Sequence, residues 1–177
     1  MTMKNYNVAR KTFVYFLITL TLAGWTGSGG CAKIESQSES NKAADFTVKD
    51  LEGKDLRLAD FKGKIIILDF WATWCPPCRQ EIPHFKELYS AYKEKGVEII
   101  GLALDEGGAK AVQPFVKKNE INYPVAIPDD KVVQSYGGVR GIPTTFVIDK
   151  NGSIYKKYVG YQEKSVFQAD IEKLLQK

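Results

Sequence analysis

From residue 45 onward, apolar and polar positions follow two alternating patterns. Two continuous apolar runs, KIIILDFW at 64–71 and VEIIGLAL at 97–104, are rich in β-branched residues and predict strands buried on both faces. Between them, apolar positions at helical spacing predict a helix that begins at Pro76 and ends at Gly96. A strand, a helix and a second strand in this order predict parallel pairing.

The remaining elements extend this core on both sides. Before it, Phe46 to Val48 and Leu56 to Leu58 predict two short extended pieces. After it, the pattern predicts a helix over 109–119 that Pro114 kinks or divides, a short strand over 125–127, a short helix over 131–136, a hairpin of strands 143–149 and 153–160 joined by Lys150-Asn151-Gly152, and a closing helix over 163–176. We therefore predict an α/β fold whose mixed central sheet is parallel at first and then antiparallel, with helices on both faces.

The first thirty residues have a different composition and predict a targeting segment. Three basic residues precede an apolar run over 12–25, and small residues follow at 27–30. Fourteen helical residues span about 21 Å, which is short of the ~30 Å hydrocarbon core of a bilayer. The pattern predicts a secretory signal peptide over 1–30, with an uncleaved membrane anchor as the alternative. Either one places the domain outside the cytoplasm.

Cys31 follows this segment and resembles the lipidated first residue of a mature bacterial lipoprotein. Ser28 departs from the aliphatic residue that such signals usually carry three positions before the cysteine, and the apolar run ends five residues early. Lipidation would remove an odd thiol from an oxidising compartment, whereas ordinary cleavage would leave Cys31 free. Residues 31–44 are polar and without periodicity, which predicts a flexible tether ahead of a domain over 45–177.

The length and the net charge of the chain limit the classes of function that it can have. A chain of 177 residues suits one ordinary domain with a short additional segment. The formal net charge is +4, and residues 1–30 carry three basic residues and no acid, so the rest carries 4 − 3 = +1. A nearly neutral domain lacks the overall positive charge that nucleic-acid binding requires, and we exclude that class.

The candidate chemistry lies in Trp74-Cys75-Pro76-Pro77-Cys78. The two cysteines are three residues apart at the start of a helix, a spacing that brings their sulfurs to disulfide distance. The helix N-terminus favours a thiolate at Cys75, which would attack a disulfide, while Cys78 lies one turn inside and would resolve the mixed disulfide. A structural disulfide would stabilise little across so small a loop, and a zinc site lacks a second ligand pair. Redox chemistry is the favoured interpretation.

The residues beside the cysteines bear on redox direction and docking. Pro76 and Pro77 have no N–H group, so two possible hydrogen-bond donors to the Cys75 thiolate are absent. A less stabilised thiolate makes a less oxidising pair, which predicts a reductant. Trp74 adjoins Cys75 and is expected on the surface that docks a partner.

Three segments carry a resemblance to a known family. DFWATWCPPC, EIPHFKELY and GIPTTFVID, in this order, resemble thioredoxin-like proteins of the TlpA/ResA type, over residues 45–175. The resemblance implies a thioredoxin fold with an inserted helix at 109–119, and a membrane-tethered thiol–disulfide oxidoreductase outside the bacterial cytoplasm. It also implies a cis peptide bond before Pro143, with the Ile142 backbone beside the cysteines to hold the partner's chain. A strand-edge proline is the alternative for Pro143.

Two acids are further candidates. Asp69 interrupts the apolar run at 64–71, where an isolated carboxylate is costly, and it matches the buried aspartate of thioredoxins that accepts a proton from the resolving cysteine. The alternative is a strand position open to solvent. Glu81, three residues after Cys78, matches a glutamate that ResA-type proteins carry near the active site, and its alternative is an ordinary exposed helix acid.

Together these features predict an extracytoplasmic, membrane-tethered reductase of protein disulfides. The resemblance implies apocytochrome c as a client and a membrane thiol protein as the electron donor. No metal or organic cofactor is required, because the electrons reside in the cysteine pair. A disulfide oxidase or isomerase is the nearest alternative, and a copper-binding chaperone with both thiolates as ligands is an alternative of another class, with only His84 available as a histidine ligand. A peroxidase is disfavoured because Thr73 precedes Cys75 by only two residues.

Overall fold

The computed structural model describes residues 41–177 as strands and helices in alternation. The strands are β1 (Thr47–Asp50), β2 (Asp55–Arg57), β3 (Ile65–Trp71), β4 (Val97–Ala103), β5 (Val125–Ile127), β6 (Thr144–Ile148) and β7 (Ile154–Val159). The helices are α1 (Pro76–Tyr92), α2 (Gly108–Lys118), α3 (Asp130–Ser135) and α4 (Lys164–Leu175), with short 3-10 turns at Leu58–Phe61 and Lys93–Lys95. The predicted signal peptide, Cys31 and most of the predicted tether lie outside these residues.

The strands form one mixed sheet in the order β2-β1-β5-β4-β3-β6-β7. Strand β4 pairs in parallel with β3 and with β5, while β6 pairs antiparallel with β3 and β7. This arrangement confirms the predicted α/β fold with a mixed sheet. The N-terminal strands add a feature that the pattern does not anticipate, because β1 pairs antiparallel with both β2 and β5 and so extends the sheet beyond β5, with β2 as the edge strand.

Alternate residues of β3 divide the core into two clusters, because successive strand side chains point to opposite faces of the sheet. Ile65, Ile67 and Trp71 point to one side and pack with α1, α2 and α4, which we call the α1 face. Ile66, Leu68 and Phe70 point to the other side, which we call the aromatic face, and pack there with β1 and α3. This face also contains a group of aromatic side chains, which are Phe46, Tyr136 and Phe146. Helices therefore cover both faces, as predicted.

Gly101 on β4 allows a close approach on the α1 face. It lies beside Asp69 in the parallel pair of β3 and β4. A Cβ atom at position 101 would lie 2.8 Å from Nε1 of Trp71 and 3.4 Å from Cε2 of Tyr123. The missing side chain therefore makes the space in which the Trp71 indole and the Tyr123 ring pack.

Helix α2 is continuous through Pro114, so the predicted division of this helix is wrong. Pro114 is exposed, and the carbonyl that loses its hydrogen-bond partner belongs to the exposed residue Lys110. Water satisfies such a carbonyl, and the helix continues to Lys118. Leu58 also departs from prediction, since it begins a 3-10 turn instead of extending β2.

The folded domain begins earlier than the predicted boundary at residue 45. The Asn41 side chain donates to the carbonyl of Ile154 at 2.7 Å, and the Ala43 N–H donates to the carbonyl of Gly152 at 2.9 Å. Lys42 forms a β-bridge with Ser153. These long-range contacts fasten residues 41–43 to the β6–β7 turn, which a pattern search along the chain does not detect. Within residues 41–177, no helix is both long and apolar enough to cross a membrane.

Candidate active site

A disulfide between Cys75 and Cys78 lies where the chain passes from β3 into α1. Cys75 is the N-cap of α1, and its Sγ accepts a hydrogen bond from the Cys78 N–H at 3.2 Å. Pro76 and Pro77 form the first two positions of the helix, where their missing N–H groups disturb no helical hydrogen bond. The Cys78 N–H is thus the backbone donor that the start of α1 supplies to the Cys75 sulfur.

The loop that carries Cys75 is held by a carboxylate from the next strand. Asp105 follows β4, and its two oxygens accept hydrogen bonds from the backbone N–H and the hydroxyl of Thr73. Residues 105–108 form a turn, and the sequence pattern gave no sign that Asp105 would contact the cysteine loop. A Thr–Asp contact across 32 residues has no local signature, so sequence reasoning missed it.

The loop before β6 lies directly against the disulfide. The Ile142–Pro143 peptide bond is cis, as the resemblance implied, and the Ile142 carbonyl oxygen is 3.8 Å from Sγ of Cys75. The loop is fixed by two hydrogen bonds, from the Thr144 hydroxyl to the Gly141 carbonyl at 2.6 Å and from the Gly160 N–H to the Pro143 carbonyl at 2.8 Å. The structure therefore brings the two predicted motifs together at one end of the sheet.

Asp69 is buried on the α1 face, with only 3% of its surface exposed. This burial rules out the alternative of a strand position open to solvent. Removal from water raises the pKa of Asp69 well above its usual value, and the nearby Glu81 charge raises it further. The hydroxyl of Thr145 on β6 donates to Asp69 Oδ1 at 3.0 Å and partly opposes this rise by favouring the carboxylate.

Glu81 is also fully buried, so the alternative of an exposed helix acid is wrong. It lies one turn after Cys78 on α1, and its Oε1 accepts the Gln162 N–H at 2.5 Å. Burial raises the pKa of Glu81 to about 7, and the hydrogen bond from Gln162 limits the rise. Its Oε2 atom has no hydrogen-bond partner among residues 41–177.

Tyr123 and Trp71 complete the surroundings of the two acids. Tyr123 is buried, and the charges of Asp69 and Glu81 add to the effect of burial in raising its pKa. Trp71 is 1% exposed and packs in the core, while its indole N–H has no hydrogen-bond partner in the described part of the chain. Buried polar groups without partners are costly, so this region carries a free-energy cost that an ordinary core does not.

Two large apolar side chains are exposed around the disulfide. Trp74 is 65% exposed, and Val159 at the end of β7 is 63% exposed. Val159 pairs with Thr144 across the sheet, and a Cβ at Gly141 would lie 3.8 Å from Val159 Cγ1, so Val159 flanks the cis-proline loop. Sequence reasoning did not single out Val159, because the sequence of a strand does not distinguish an exposed valine from a buried one.

His84 packs its ring against Tyr161 at 5.9 Å between ring centres, and its Nδ1 atom is buried without a partner in residues 41–177. Within the same residues, no group of three or more histidine, cysteine or acidic side chains is arranged to hold a metal ion.

Comparison with known proteins places this geometry in a family. Residues 40–157 match the AhpC/TSA family. The chain is 43% identical over 163 residues to "Thiol-disulfide oxidoreductase ResA" from Bacillus cereus (strain ATCC 10987 / NRS 248), which covers 89% of this chain and 93% of the relative. A protein of the same name from Geobacillus thermodenitrificans is 35% identical over 173 residues, with 97% and 98% covered. The chain belongs to the ResA thiol–disulfide oxidoreductases of the AhpC/TSA family.

Solved structures agree with the ResA assignment. A thiol:disulfide interchange protein of the thioredoxin family from Chlorobium tepidum superposes with a TM-score of 0.71 at 34% identity and covers 76% of this chain and 96% of that one. StoA from Bacillus subtilis superposes with a TM-score of 0.62 at 29% identity, with 72% and 96% covered. The fold is therefore a thioredoxin fold, and the protein is a protein-disulfide oxidoreductase that works by thiol–disulfide exchange.

Proposed function

We propose that this ResA homologue reduces disulfides in client proteins outside the cytoplasm, with Cys75 as the attacking and Cys78 as the resolving residue. The observation that carries the proposal is the position of the cysteine pair, at a helix N-terminus, against the cis-proline loop and between β3 and α1, the two elements that bury Asp69 and Glu81. A disulfide that served stability alone would need neither the loop nor the acids.

The exchange has two steps. The Cys75 thiolate attacks one sulfur of the client disulfide, which forms a mixed disulfide and releases the client's other thiolate. Cys78 then loses its proton and attacks Cys75 Sγ, which closes the Cys75–Cys78 disulfide and releases the second client sulfur as a thiolate. Two electrons pass from the pair to the client. In this scheme Asp69 accepts the Cys78 proton. The negative charge of Glu81 raises the pKa of Asp69 and thereby makes Asp69 harder to ionise.

Two features favour the reducing direction. Pro76 and Pro77 leave the Cys78 N–H as the donor that α1 offers to the Cys75 sulfur. Asp69 and Glu81, when ionised, repel a thiolate nearby and so favour the disulfide over the dithiol. A pair whose disulfide is favoured gives up its electrons readily, and such a pair acts as a reductant.

The client chain docks on the cis-proline loop. We propose that the backbone of Ile142 holds an extended client segment beside Cys75, with Trp74, Pro76, Pro77 and Pro143 in contact with it. Trp74 presents an exposed apolar side chain next to Cys75, and Val159 presents another beside the cis-proline loop. Apolar surface around a polar backbone contact suits unfolded clients of varied sequence.

We place the protein on the outer side of a bacterial membrane, held by a lipidated Cys31 or by an uncleaved signal anchor. The composition of residues 1–44 supports this placement. A solved relative from Corynebacterium glutamicum, 26% identical, is described as a secreted thiol-disulfide isomerase. Apocytochrome c, whose haem-binding cysteines must be reduced before haem attachment, is the proposed client, with a membrane thiol protein as the electron donor.

The deciding measurement is the reduction potential of the Cys75–Cys78 pair, equilibrated against defined thiol–disulfide buffers. We expect a value near that of thioredoxin, about −270 mV. A value near the oxidising end of the known range, about −120 mV, would make the protein a disulfide donor or isomerase and would contradict the argument from the two prolines.

The client assignment needs a trapping experiment. Cys78→Ser leaves the attacking Cys75 in place and removes the resolving thiol, so it should accumulate a mixed disulfide with a peptide that carries an oxidised Cys-x-x-Cys-His segment. Cys75→Ser is the matched control and should form none. Trapping through Cys78 in the control variant would reverse the proposed roles of the two cysteines.

A further inference from the structure

A hollow of about 310 Å³ lies at the amino-terminal end of β3, away from the disulfide. Its floor is apolar and includes Leu58, Ile66 and Ile148. Its rim is formed by four lysines, which are Lys42, Lys62, Lys64 and Lys150. An apolar floor with a cationic rim is suited to a ligand that joins an anionic group to a hydrocarbon part.

The positive charge of the four rim lysines exceeds the negative charge of the carboxylates around them. Lys64 pairs with Glu98 at 2.9 Å, but within residues 41–177 Lys42, Lys62 and Lys150 form no ion pair with a carboxylate. Two acids, Asp45 and Asp149, also line the hollow and keep their negative charge, so with Glu98 the four lysines leave a net charge of 4 − 3 = +1. Hydrogen bonds from the backbone fix the positions of both carboxylates. Asp149 Oδ1 accepts the N–H groups of Asn151 and Ser153 at 2.9 Å each, and Asp45 Oδ1 accepts the N–H of Phe46 at 2.9 Å.

The hollow and the disulfide lie at opposite ends of the sheet. Lys64 immediately precedes β3, whereas Cys75 follows its carboxyl end. Strand β3 has seven residues, which at ~3.3 Å each separate the two sites by about 20 Å. A partner in the hollow would therefore leave the cysteine pair accessible to clients.

The chain enters the domain at the rim of the hollow. The Ala43 N–H donates to Gly152, and the Lys42 ammonium donates to the Asn151 carbonyl at 2.6 Å, so the start of the domain is fixed beside Lys150. Ten residues connect Cys31 to Asn41, which span at most about 36 Å when fully extended. If Cys31 is attached to the membrane, the rim is the part of the domain nearest to the attachment point along the chain.

We propose that this lysine-rimmed hollow binds an anionic phospholipid of the membrane to which the chain is tethered. The lysines contact the phosphate, the apolar floor covers the adjoining glycerol and acyl carbons, and the disulfide faces away from the bilayer. Each lysine near an anionic surface strengthens its attachment by about fivefold. This inference rests on the membrane tether of the proposed function and adds an orientation to it.

The test uses the full chain, purified from the membranes of an expressing bacterium and reconstituted into vesicles. One set of vesicles contains phosphatidylcholine alone, and the other contains phosphatidylglycerol as well. Lysines are acetylated with a limiting reagent and their modification rates are read by mass spectrometry. We expect Lys42, Lys62 and Lys150 to react at least about threefold more slowly on the anionic vesicles, and salt at about 0.5 M to remove this protection.

A matched pair of variants separates the hollow from general charge. Lys62→Gln with Lys150→Gln should abolish the protection of Lys42. Lys110→Gln with Lys118→Gln removes the same charge from exposed positions of α2 and should leave it unchanged. Neither pair lies in the catalytic machinery, so disulfide exchange in detergent should be equal in both.

The outcomes are distinguishable. A chain that sediments with both kinds of vesicle but shows equal lysine reactivity on them overturns the lipid site and leaves the tether intact. Low reactivity of these lysines that is the same in detergent as on both vesicles means that another part of this chain, such as the acidic residues Glu35 and Glu39, covers the hollow, and this also overturns the proposal. A chain that does not sediment with phosphatidylcholine vesicles refutes the membrane tether itself.

Discussion

The α1 face and the aromatic face share strand β3, yet they bury different kinds of group. On the aromatic face, Phe70 packs with Tyr136 and Phe146 at ring-centre distances of 5.4 and 5.9 Å, and the Tyr136 hydroxyl donates to the Ala44 carbonyl at 2.8 Å. On the α1 face, the neighbouring residue Asp69 is a buried acid with a raised pKa, close enough to Glu81 for the two charges to interact.

The difference shows how one strand separates stability from reactivity. Successive residues of β3 point to opposite faces of the sheet, so Phe70 lies in an apolar cluster while its neighbour Asp69 lies on the other face. On that face, polar atoms of Trp71 and Glu81 have no hydrogen-bond partner within residues 41–177. The aromatic face contributes packing free energy, while the α1 face retains groups that a pure core would exclude. Four substitutions test this division, and we take them from the largest expected effect to the smallest.

Phe70→Ala should lower the free energy of unfolding by about 3–5 kcal/mol, because it empties a fully buried position on the aromatic face. The reduction potential of the folded protein should stay within about 10 mV of the parent value. Urea unfolding of the oxidised protein measures the first quantity and thiol–disulfide equilibration the second. Phe70→Leu serves as a milder control, and a large change of potential in either variant would contradict the division.

Asp69→Asn should slow the resolving step at neutral pH by about 100-fold, because it removes the proposed acceptor of the Cys78 proton. Stopped-flow measurement of exchange with a small synthetic disulfide over a range of pH checks this. The parent rate should rise as pH passes the raised pKa of Asp69, and the variant should lose that rise.

Thr145→Val, which removes the hydroxyl donor to Asp69, should move the rise to higher pH without abolishing it. Equal pH profiles for Asp69→Asn and the parent would remove Asp69 from the mechanism.

Glu81→Gln should stabilise the protein at pH 8 by about 2 kcal/mol and have little effect near pH 4.5. The pKa of Glu81 is near the ordinary glutamate value of 4.5 in the unfolded chain and about 7 in the folded one. The raised folded pKa stabilises the fold below about pH 4.5, and this contribution is lost as pH rises to about 7. The glutamine amide oxygen can still accept the Gln162 N–H. Unfolding of both proteins across this range is the measurement, and a stability difference that is constant with pH would show that Glu81 is not buried as a neutral acid.

Trp74→Ala should change the free energy of unfolding by less than about 0.5 kcal/mol, because its side chain is largely in solvent. It should nevertheless raise KM for a protein client several-fold while leaving exchange with a small disulfide unchanged. Val159→Ala tests the other exposed apolar side chain of the same surface. A loss of exchange with the small disulfide would assign Trp74 to the chemistry and not to docking.

The elements of the fold could be predicted because they depend on local pattern. The apolar runs, the proline at the start of α1 and the Asn-Gly turn each act within a few residues. Asp69 was also predictable, since an acid inside a continuous apolar run has few ways to avoid burial. The cis-proline loop required the resemblance, because two motifs about 65 residues apart carry no physical sign of contact.

The rest of the site depends on contacts between distant segments. Glu81 looks like a surface acid until the loop at Gln162, 81 residues later, covers it. Asp105 and Val159 likewise acquire their positions from chain segments that meet only in the fold. The early start of the domain at Asn41 has the same origin, since its contacts are with the β6–β7 turn.

The close approach at Gly101 has a consequence for how related sequences can diverge. Because a Cβ there would meet the Trp71 indole at 2.8 Å, a side chain at position 101 requires a smaller ring at position 71. Neither exchange is tolerated alone, since the first creates a clash and the second a cavity. The two positions should therefore change together or remain fixed together, which makes this pair a point of epistasis beside the buried acid Asp69.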